Sequence, residues 1–373
     1  MTRITNCSPS TGRVPSHIPS PDQFMSTTEH ASLKQRWEEH LRQNPKTRIR
    51  DAAATLGVSE AELLATRVGD GVTRLEGDWK DLLKEFPKLG RVLCLTRNEA
   101  AVHERYGEFE HLDFFHGMGQ VLGPDIDLRL FLSHWKFGFA VTDQTAEGER
   151  QSFQFFDAHG DAVLKVYLLK HSDYGCYGVF LHQFRAAEQS PEVAVTPAPA
   201  APPARPDAEV DVEGFRAGWL AMKDTHAFYP LIGKFRIGRL QALRLAPEGF
   251  AHEVPVASIR RMLESASASG LPIMVFIGSR GCVQIHTGPV KNIKMFGEDW
   301  LNVLDDDFNM HLRLPLVDSA WVVRKPTLDG DITALEIYDA AGENLVIFYG
   351  KRKPGQPEDP AWRELLAQST TEA

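Results

Sequence analysis

The chain has 373 residues, of which 43% are hydrophobic and 24% are charged, and its formal net charge is −9. This length predicts two domains, each large enough to bury a core of its own. The acidic balance disfavours a general nucleic-acid-binding function, because neutralising phosphates normally requires a basic face.

The first 24 residues are rich in serine, threonine and proline and contain no continuous apolar run, which is not the pattern of a secretory signal. We predict a disordered leader over residues 1–28, with Met25 as an alternative start. No apolar run approaches the ~20 residues that cross a bilayer. The four cysteines lack CxxC spacing, which indicates reduced thiols. These features indicate a soluble cytoplasmic protein.

The rest of the chain contains an internal duplication. Residues 122–132 match residues 304–314, and residues 155–162 match residues 337–344, in register. Such self-similarity identifies a repeat architecture. We therefore predict a first repeat over 29–187, a proline- and alanine-rich linker over 188–208 that is extended rather than packed, and a second repeat over 209–373.

Each copy has the same predicted order of elements. A helical opening, roughly 31–86 and 210–268, precedes short segments with the alternation of half-buried strands. In DLRLFL, for example, leucines alternate with Asp127, Arg129 and Phe131. The turns DAHGDA and DAAGEN predict hairpins, and a helix closes each copy. This pattern predicts an α+β fold: two homologous halves, each with N-terminal helices and a large antiparallel β-sheet.

Motif searches exclude several enzyme classes. GMGQVLG at 117–123 has the spacing GxGxxxG and precedes strands, so we interpret its glycines as turn residues rather than a dinucleotide fingerprint. HExxH, GxSxG and Walker motifs are absent from the sequence, and the histidines show no metal-ligand spacing.

Residues that the duplication does not copy are candidates for function. His226 has no histidine counterpart, and Arg129 corresponds to His311. From the residues alone, His226 is equally well a cap or surface histidine, and Arg129 an exposed strand arginine. Similarly, the cationic residues of the second copy could simply be solvated. They are Arg239, Lys325 and Arg352.

Several segments carry a resemblance to a known family. DTHAF, IMVFIGSRGCVQIHTG, AWVVRKPTLDG, FYGKRKPG and DLRLFLSHW closely resemble the cytoplasmic haemin-degrading and haemin-transport factors of Gram-negative bacteria. The resemblance runs in order from about residue 33 to residue 368 and includes the duplication.

The resemblance implies one haem b between the two halves. It implies His226 as the proximal iron ligand and Arg129 on the distal side, where an arginine can donate hydrogen bonds without itself binding iron. The implied propionate-binding residues are Arg239, Lys325, Tyr349 and Arg352, and the implied apolar wall is Phe131, Met274 and Phe276. Pro230, four residues after His226, predicts that the helix there begins later or bends. We interpret His103 as a surface histidine rather than a second haem contact.

The implied function is to take imported haem and either degrade it to release iron or deliver it to a haem oxygenase. Degradation would need an external electron donor, because no flavin or nicotinamide motif is present. The implied partners are an inner-membrane haem importer, a haem oxygenase or a reductase. The alternative is a non-enzymatic haem chaperone, with a protein partner or a less expected nucleic-acid partner.

Overall fold

The computed structural model describes residues 32–146, 148–199, 205–353 and 355–371. The predicted leader, including Met25, lies outside this part of the chain. The helices are α1 Leu33–Gln43, α2 Ile49–Leu56, α3 Glu60–Ala65, α4 Trp79–Glu85, α5 Tyr174–Phe184, α6 Val212–Leu220, α7 Phe228–Phe235, α8 Arg239–Arg244, α9 Ala257–Ser269 and α10 Pro360–Thr370. No helix in the described ranges is long and apolar enough to span a membrane.

The strands follow the predicted duplication. Those of the first copy are β1 Val72–Leu75, β2 Val92–Arg97, β3 Ala101–Gly107, β4 Leu112–Phe115, β5 Met118–Leu122, β6 Asp127–Phe131, β7 Phe137–Thr145, β8 Gly148–Phe156 and β9 Ala162–Leu168. Those of the second copy are β10 Ala251–Val254, β11 Ile273–Gly278, β12 Cys282–Gly288, β13 Ile293–Phe296, β14 Trp300–Leu304, β15 Phe308–Arg313, β16 Ser319–Thr327, β17 Gly330–Tyr338 and β18 Asn344–Gly350. The α+β fold with two large antiparallel sheets is confirmed.

Each sheet takes strands from both copies, which the sequence did not predict. The first sheet has the order β1-β7-β8-β9-β2-β3-β15-β14-β13, and the second has the order β10-β16-β17-β18-β11-β12-β6-β5-β4. The strands β4–β6 therefore extend the second copy's sheet, and β13–β15 extend the first copy's sheet. The two halves exchange equivalent three-stranded units, and the second sheet brings Arg129 beside second-copy strands.

The alternation of buried and partly exposed residues along β6 shows which face of the sheet each side chain lies on. Leu128 and Leu130 are fully buried between the sheets, whereas Asp127, Arg129 and Phe131 face the opposite side and are partly exposed. Leu130 lies opposite Cys282 of β12, and Arg129 lies opposite Val283. The leucines thus join the common core, and the polar members of β6 reach the outer face of the second sheet.

Helices of the second copy cover part of that outer face. Phe215 and Trp219 of α6 are fully buried, and the Trp219 indole Nε1 donates to the Arg324 carbonyl at 3.0 Å. Phe228, Trp321 and Tyr338 belong to the same hydrophobic cluster. This packing fixes α6 and α7, and the connection between them, above β16 and β17.

The predicted linker is partly packed, which corrects the expectation of a free spacer. Its described residues 188–199 contain no helix or strand, as predicted, but a 3-10 turn, Asp207–Glu209, begins within its last residues. However, Val193 and Val195 pack against a hydrophobic cluster of the first copy. Thr196 N–H also donates to the Ala158 carbonyl at 2.7 Å. The apolar valines explain the difference, because they can bury surface without forming regular structure.

His103 is fully buried between the sheets, so its interpretation as a surface residue is wrong. The centre of its ring lies 4.9 Å from that of Phe308, and the ring of His286 stacks on Phe308 with 3.9 Å between the ring centres. The nitrogens of both imidazoles find no hydrogen-bond partner within the described protein. His103 therefore lies in the core, away from the outer face that carries the predicted site.

These two histidines predict a loss of stability in weak acid. Burial, aided by Arg105, lowers the pKa of His286 to about 3 and holds the pKa of His103 well below its usual value. Below pH ~6.5 the unfolded chain binds protons that the folded chain does not, so the free energy of unfolding falls by roughly 1.4 kcal/mol per pH unit for each histidine.

Urea unfolding at pH 7.5 and pH 5.5 tests this expectation. The variant His286→Gln should lose less stability between the two pH values than the unaltered protein, whereas the exposed control His171→Gln should not differ from it. Equal pH dependence of His286→Gln and the unaltered chain would show that His286 is not neutral in the fold.

Candidate functional site

The predicted site residues on strands share one face of the second sheet. Register aligns Met274 of β11 with Tyr349 of β18, and Phe276 lies two residues further along β11. Arg129 aligns through Val283 with Gly278, next to Phe276. These side chains, and that of Phe131 two residues after Arg129, are partly exposed. The apolar members form a half-open surface, which we call the outer strip, defined as Phe131, Met274, Phe276 and Tyr349.

Arg129 stands at the first-copy edge of the outer strip. Its Nη1 donates to the carboxylate of Asp127 and, at 3.1 Å, to the Leu128 carbonyl. Burial raises the pKa of Asp127, and the Arg129 charge opposes that effect. Sequence reasoning identified Arg129 but missed its acidic partner.

Two of the predicted propionate-binding cations share a buried carboxylate. Glu336 of β17 accepts hydrogen bonds from Arg239 at the start of α8, with Nη2 at 2.9 Å, and from Lys325 of β16. Tyr338 donates to the same carboxylate. Burial favours the neutral acid, but the two cations outweigh it and lower the pKa of Glu336 to about 2. The cluster therefore carries one net positive charge rather than two.

Lys325 is the less accessible member of this cluster. Its side chain is 3% exposed, and its Nζ lies 4.6 Å from the centre of the Phe228 ring. Lys325 is therefore not a solvated surface residue, which was one interpretation of the sequence. Reaching an external carboxylate would require it to leave Glu336.

Arg352 and the hydroxyl of Tyr229, which accepts from the buried Arg239, lie at the more open end of the cationic cluster. Arg352 follows β18 and is only loosely paired, 4.0 Å from Asp329. Arg239 uses its Nη1 to donate to the hydroxyl of Tyr229 at 2.6 Å, and Tyr229 is 62% exposed. Arg352 and the Tyr229 hydroxyl thus offer donors to a carboxylate, and Arg239 supports them from beneath as a buried positive charge.

His226 lies in a 3-10 turn, Thr225–Ala227, between α6 and α7. Its side chain is 93% exposed, and its Nδ1 lies 2.6 Å from the Asp224 carboxylate, which also accepts from the His226 backbone N–H at 2.7 Å. Asp224 thus fixes the ring and its tautomer, with the proton on Nδ1 and the lone pair on Nε2 directed outward. This carboxylate is a second residue that sequence reasoning missed.

The helix after His226 begins at Phe228, two residues beyond the histidine. This start places Pro230 in the first turn of α7, where a backbone N–H has no helical partner to lose. His226 is therefore held by a side-chain cap rather than by a continuous helix.

The described residues of the site do not form a metal centre from protein side chains alone. Within the described ranges, no group of three or more histidine, cysteine, aspartate or glutamate side chains could hold a metal ion. A single exposed imidazole instead suits a metal that brings its own equatorial ligands.

A family model for the haemin-degrading HemS.ChuX domain matches the chain twice, over residues 57–184 and 236–369. The chain belongs to this family. Each match falls within one of the two predicted copies of the duplication.

Related proteins match across nearly the whole chain. Hemin transport protein HmuS of Yersinia pestis is 38% identical over 343 residues, which is 91% of this chain and 97% of HmuS. Hemin transport protein HemS of Yersinia enterocolitica is 39% identical over 329 residues, with 87% and 93% covered.

Solved structures agree with the fold. Holo-PhuS, a heme-binding protein from Pseudomonas aeruginosa, superposes with a TM-score of 0.87 at 45% identity, covering 90% of this chain and 97% of PhuS. ChuS, an E. coli heme oxygenase, superposes with a TM-score of 0.82 at 36% identity, covering 91% and 100%.

Proposed function

We propose that this protein binds one haem on the outer strip, as a cytoplasmic step of haem uptake. The observation that carries the proposal is the exposed His226 ring, whose Nδ1 is held by Asp224, a carboxylate that lies within electrostatic range of Arg352. The family relationship supports haem as the ligand, since PhuS is described as heme-binding and HmuS and HemS as hemin transport proteins.

The residues present fit the chemistry of haem. Neutral imidazole is a good axial donor to haem iron, and the partly exposed side chains of the outer strip match an apolar porphyrin plate. Burying several hundred Å² of such a plate at ~25 cal/mol per Å² supplies much of the affinity. When bound, haem would supply the iron centre on which ring opening depends.

The residues of the site would act on different parts of the haem. His226 is proposed to hold the iron through Nε2, while Arg352 and the Tyr229 hydroxyl donate to propionate oxygens and Arg239 supports them from beneath as a buried positive charge. In this proposal Lys325 tunes the charge near the propionates through Glu336 rather than by direct contact. Arg129 and Phe131, contributed by the first copy, would cover the distal side and keep water from it.

The variant Asp224→Ala tests the orientation of the ligand. Without its acceptor the His226 ring is free to rotate and its tautomer is no longer fixed, so we expect haem affinity to fall roughly 10- to 100-fold. Haem transfer to apomyoglobin measures this loss. Glu213→Ala, which removes an exposed acid from α6, is the control. Unchanged transfer kinetics for Asp224→Ala would exclude this role for the carboxylate.

Haem turnover distinguishes degradation from delivery. The haem complex is incubated with ascorbate, as a substitute for the proposed reductase partner, and with catalase to remove free peroxide. An open tetrapyrrole product would assign ring opening to this protein, whereas intact haem that passes to an apo haem oxygenase would assign delivery. A chain that takes up no haem would refute the proposed function, including the proposed importer and oxygenase partners.

A further inference from the structure

Asp127 and Arg129 form an ion pair on the outer face of the second sheet. They lie two residues apart on β6, so both side chains project from the same face. Their side chains are 22% and 34% exposed, and the carboxylate accepts from Nη1 of Arg129. Asp127 also aligns through Ile285 with Phe276, so its carboxylate stands beside the outer strip.

The geometry of the pair leaves part of the guanidinium available. An arginine has five N–H donors in a rigid plane. Asp127 and the Leu128 carbonyl both engage Nη1 of Arg129. Among the described residues, neither Nε nor Nη2 of Arg129 donates to a protein acceptor. Anchoring one nitrogen fixes the plane of the group and directs the remaining donors.

The duplication shows that the fold does not require this pair. At the equivalent positions β15 carries Asn309 and His311, which form no acid–arginine pair. The ring of His311 instead lies 2.7 Å from the amide oxygen of Asn302. The same strand position thus folds with a different polar arrangement, and the Asp127–Arg129 pair belongs to the second sheet and has no equivalent on β15.

We propose that Asp127 is a positioning residue that holds the Arg129 guanidinium toward the distal side of bound haem. This inference rests on the proposed function. In it, Asp127 does not touch the iron's ligand but acts through Arg129, as outer carboxylates act through the groups that they orient. Loss of Asp127 should therefore resemble partial loss of Arg129.

The carbon monoxide complex of the full-length, ferrous haem-loaded protein provides the test. A cation near bound carbon monoxide lowers its infrared C–O stretching frequency, so Arg129→Ala should raise that frequency. Asp127→Ala should raise it by about half as much or more, and the double variant should match Arg129→Ala alone, because coupled residues are not additive. Asp127→Asn, which keeps the size and one acceptor, should give a smaller shift.

Asp125→Ala is the matched control, because Asp125 lies just before β6 but pairs with Arg105 instead. It should leave the frequency unchanged. An unshifted or lowered frequency in Asp127→Ala, or a shift that adds fully to that of Arg129→Ala, would overturn the inference while leaving haem binding intact. If Asp127→Ala does not fold, the size-preserving Asp127→Asn decides by the same criterion. Failure of the unaltered chain to bind haem would overturn both the inference and the proposed function.

Discussion

The variant His226→Ala is expected to lose the axial imidazole and most of its haem affinity. His226 is an exposed histidine whose Nδ1 is fixed by Asp224, and this carboxylate lies within electrostatic range of Arg352. Without it, the apolar face and the cations can still attract the porphyrin, but the iron lacks its proximal ligand. We expect the Soret band to broaden and shift, and haem to dissociate at least ten-fold faster.

Absorption spectra and haem transfer kinetics measure both effects. His171→Ala, which removes an exposed histidine of the first copy, is the control and should behave as the unaltered protein. An unchanged spectrum and affinity in His226→Ala would refute the ligand assignment. Added imidazole should partly restore the spectrum, because it can bind the iron in place of the missing side chain.

The variant Glu336→Gln is expected to destabilise the second copy by about 3–5 kcal/mol, because it leaves Arg239 and Lys325 buried without their shared counter-charge. Unfolding in urea, followed by circular dichroism, measures this loss. The exposed Glu343→Gln is the control. The double variant Glu336→Gln with Lys325→Met removes one of the unpaired cations and should regain part of the stability.

An unfolding free energy for Glu336→Gln within error of the unaltered protein would show that the carboxylate does not neutralise the cluster. The same interaction makes the free energy of unfolding depend on pH. Because the two cations lower the pKa of Glu336 to about 2, its contribution is present above the ordinary glutamate pKa of ~4.3 and is lost as pH falls toward 2.

Local sequence patterns predicted most elements, but they missed β1 and β10, which lie within the segments predicted as helical openings, and they could not predict strand partners. The alternation around Leu128 and Leu130 placed β6 correctly as a half-buried strand. However, the two copies have similar strands, so the apolar face of β6 suits either sheet equally. Pairing of β6 with β12 bridges about 150 residues of chain, and no local periodicity encodes such a choice.

For a related reason, the sequence predicted some residues of the site and missed others. Resemblance identified His226 and the cations, but it did not identify the acids that hold them. Signals for two of these acids exist in the sequence. Asp224 stands two residues before His226, a typical capping position. Glu336 lies between Leu335 and Ile337 in an otherwise apolar strand, and a buried glutamate of this kind needs a cationic partner. Which cation it meets depends on the packing of α8 against β17.

The structure of the haem-loaded protein tests the central claim most directly. We predict one haem per chain, with iron bound to Nε2 of His226, the porphyrin over Met274 and Phe276, and Arg129 of the first copy on the distal side. Haem bound to another residue, or a second haem on the equivalent face of the first sheet near His311, would contradict a single site shared by both copies.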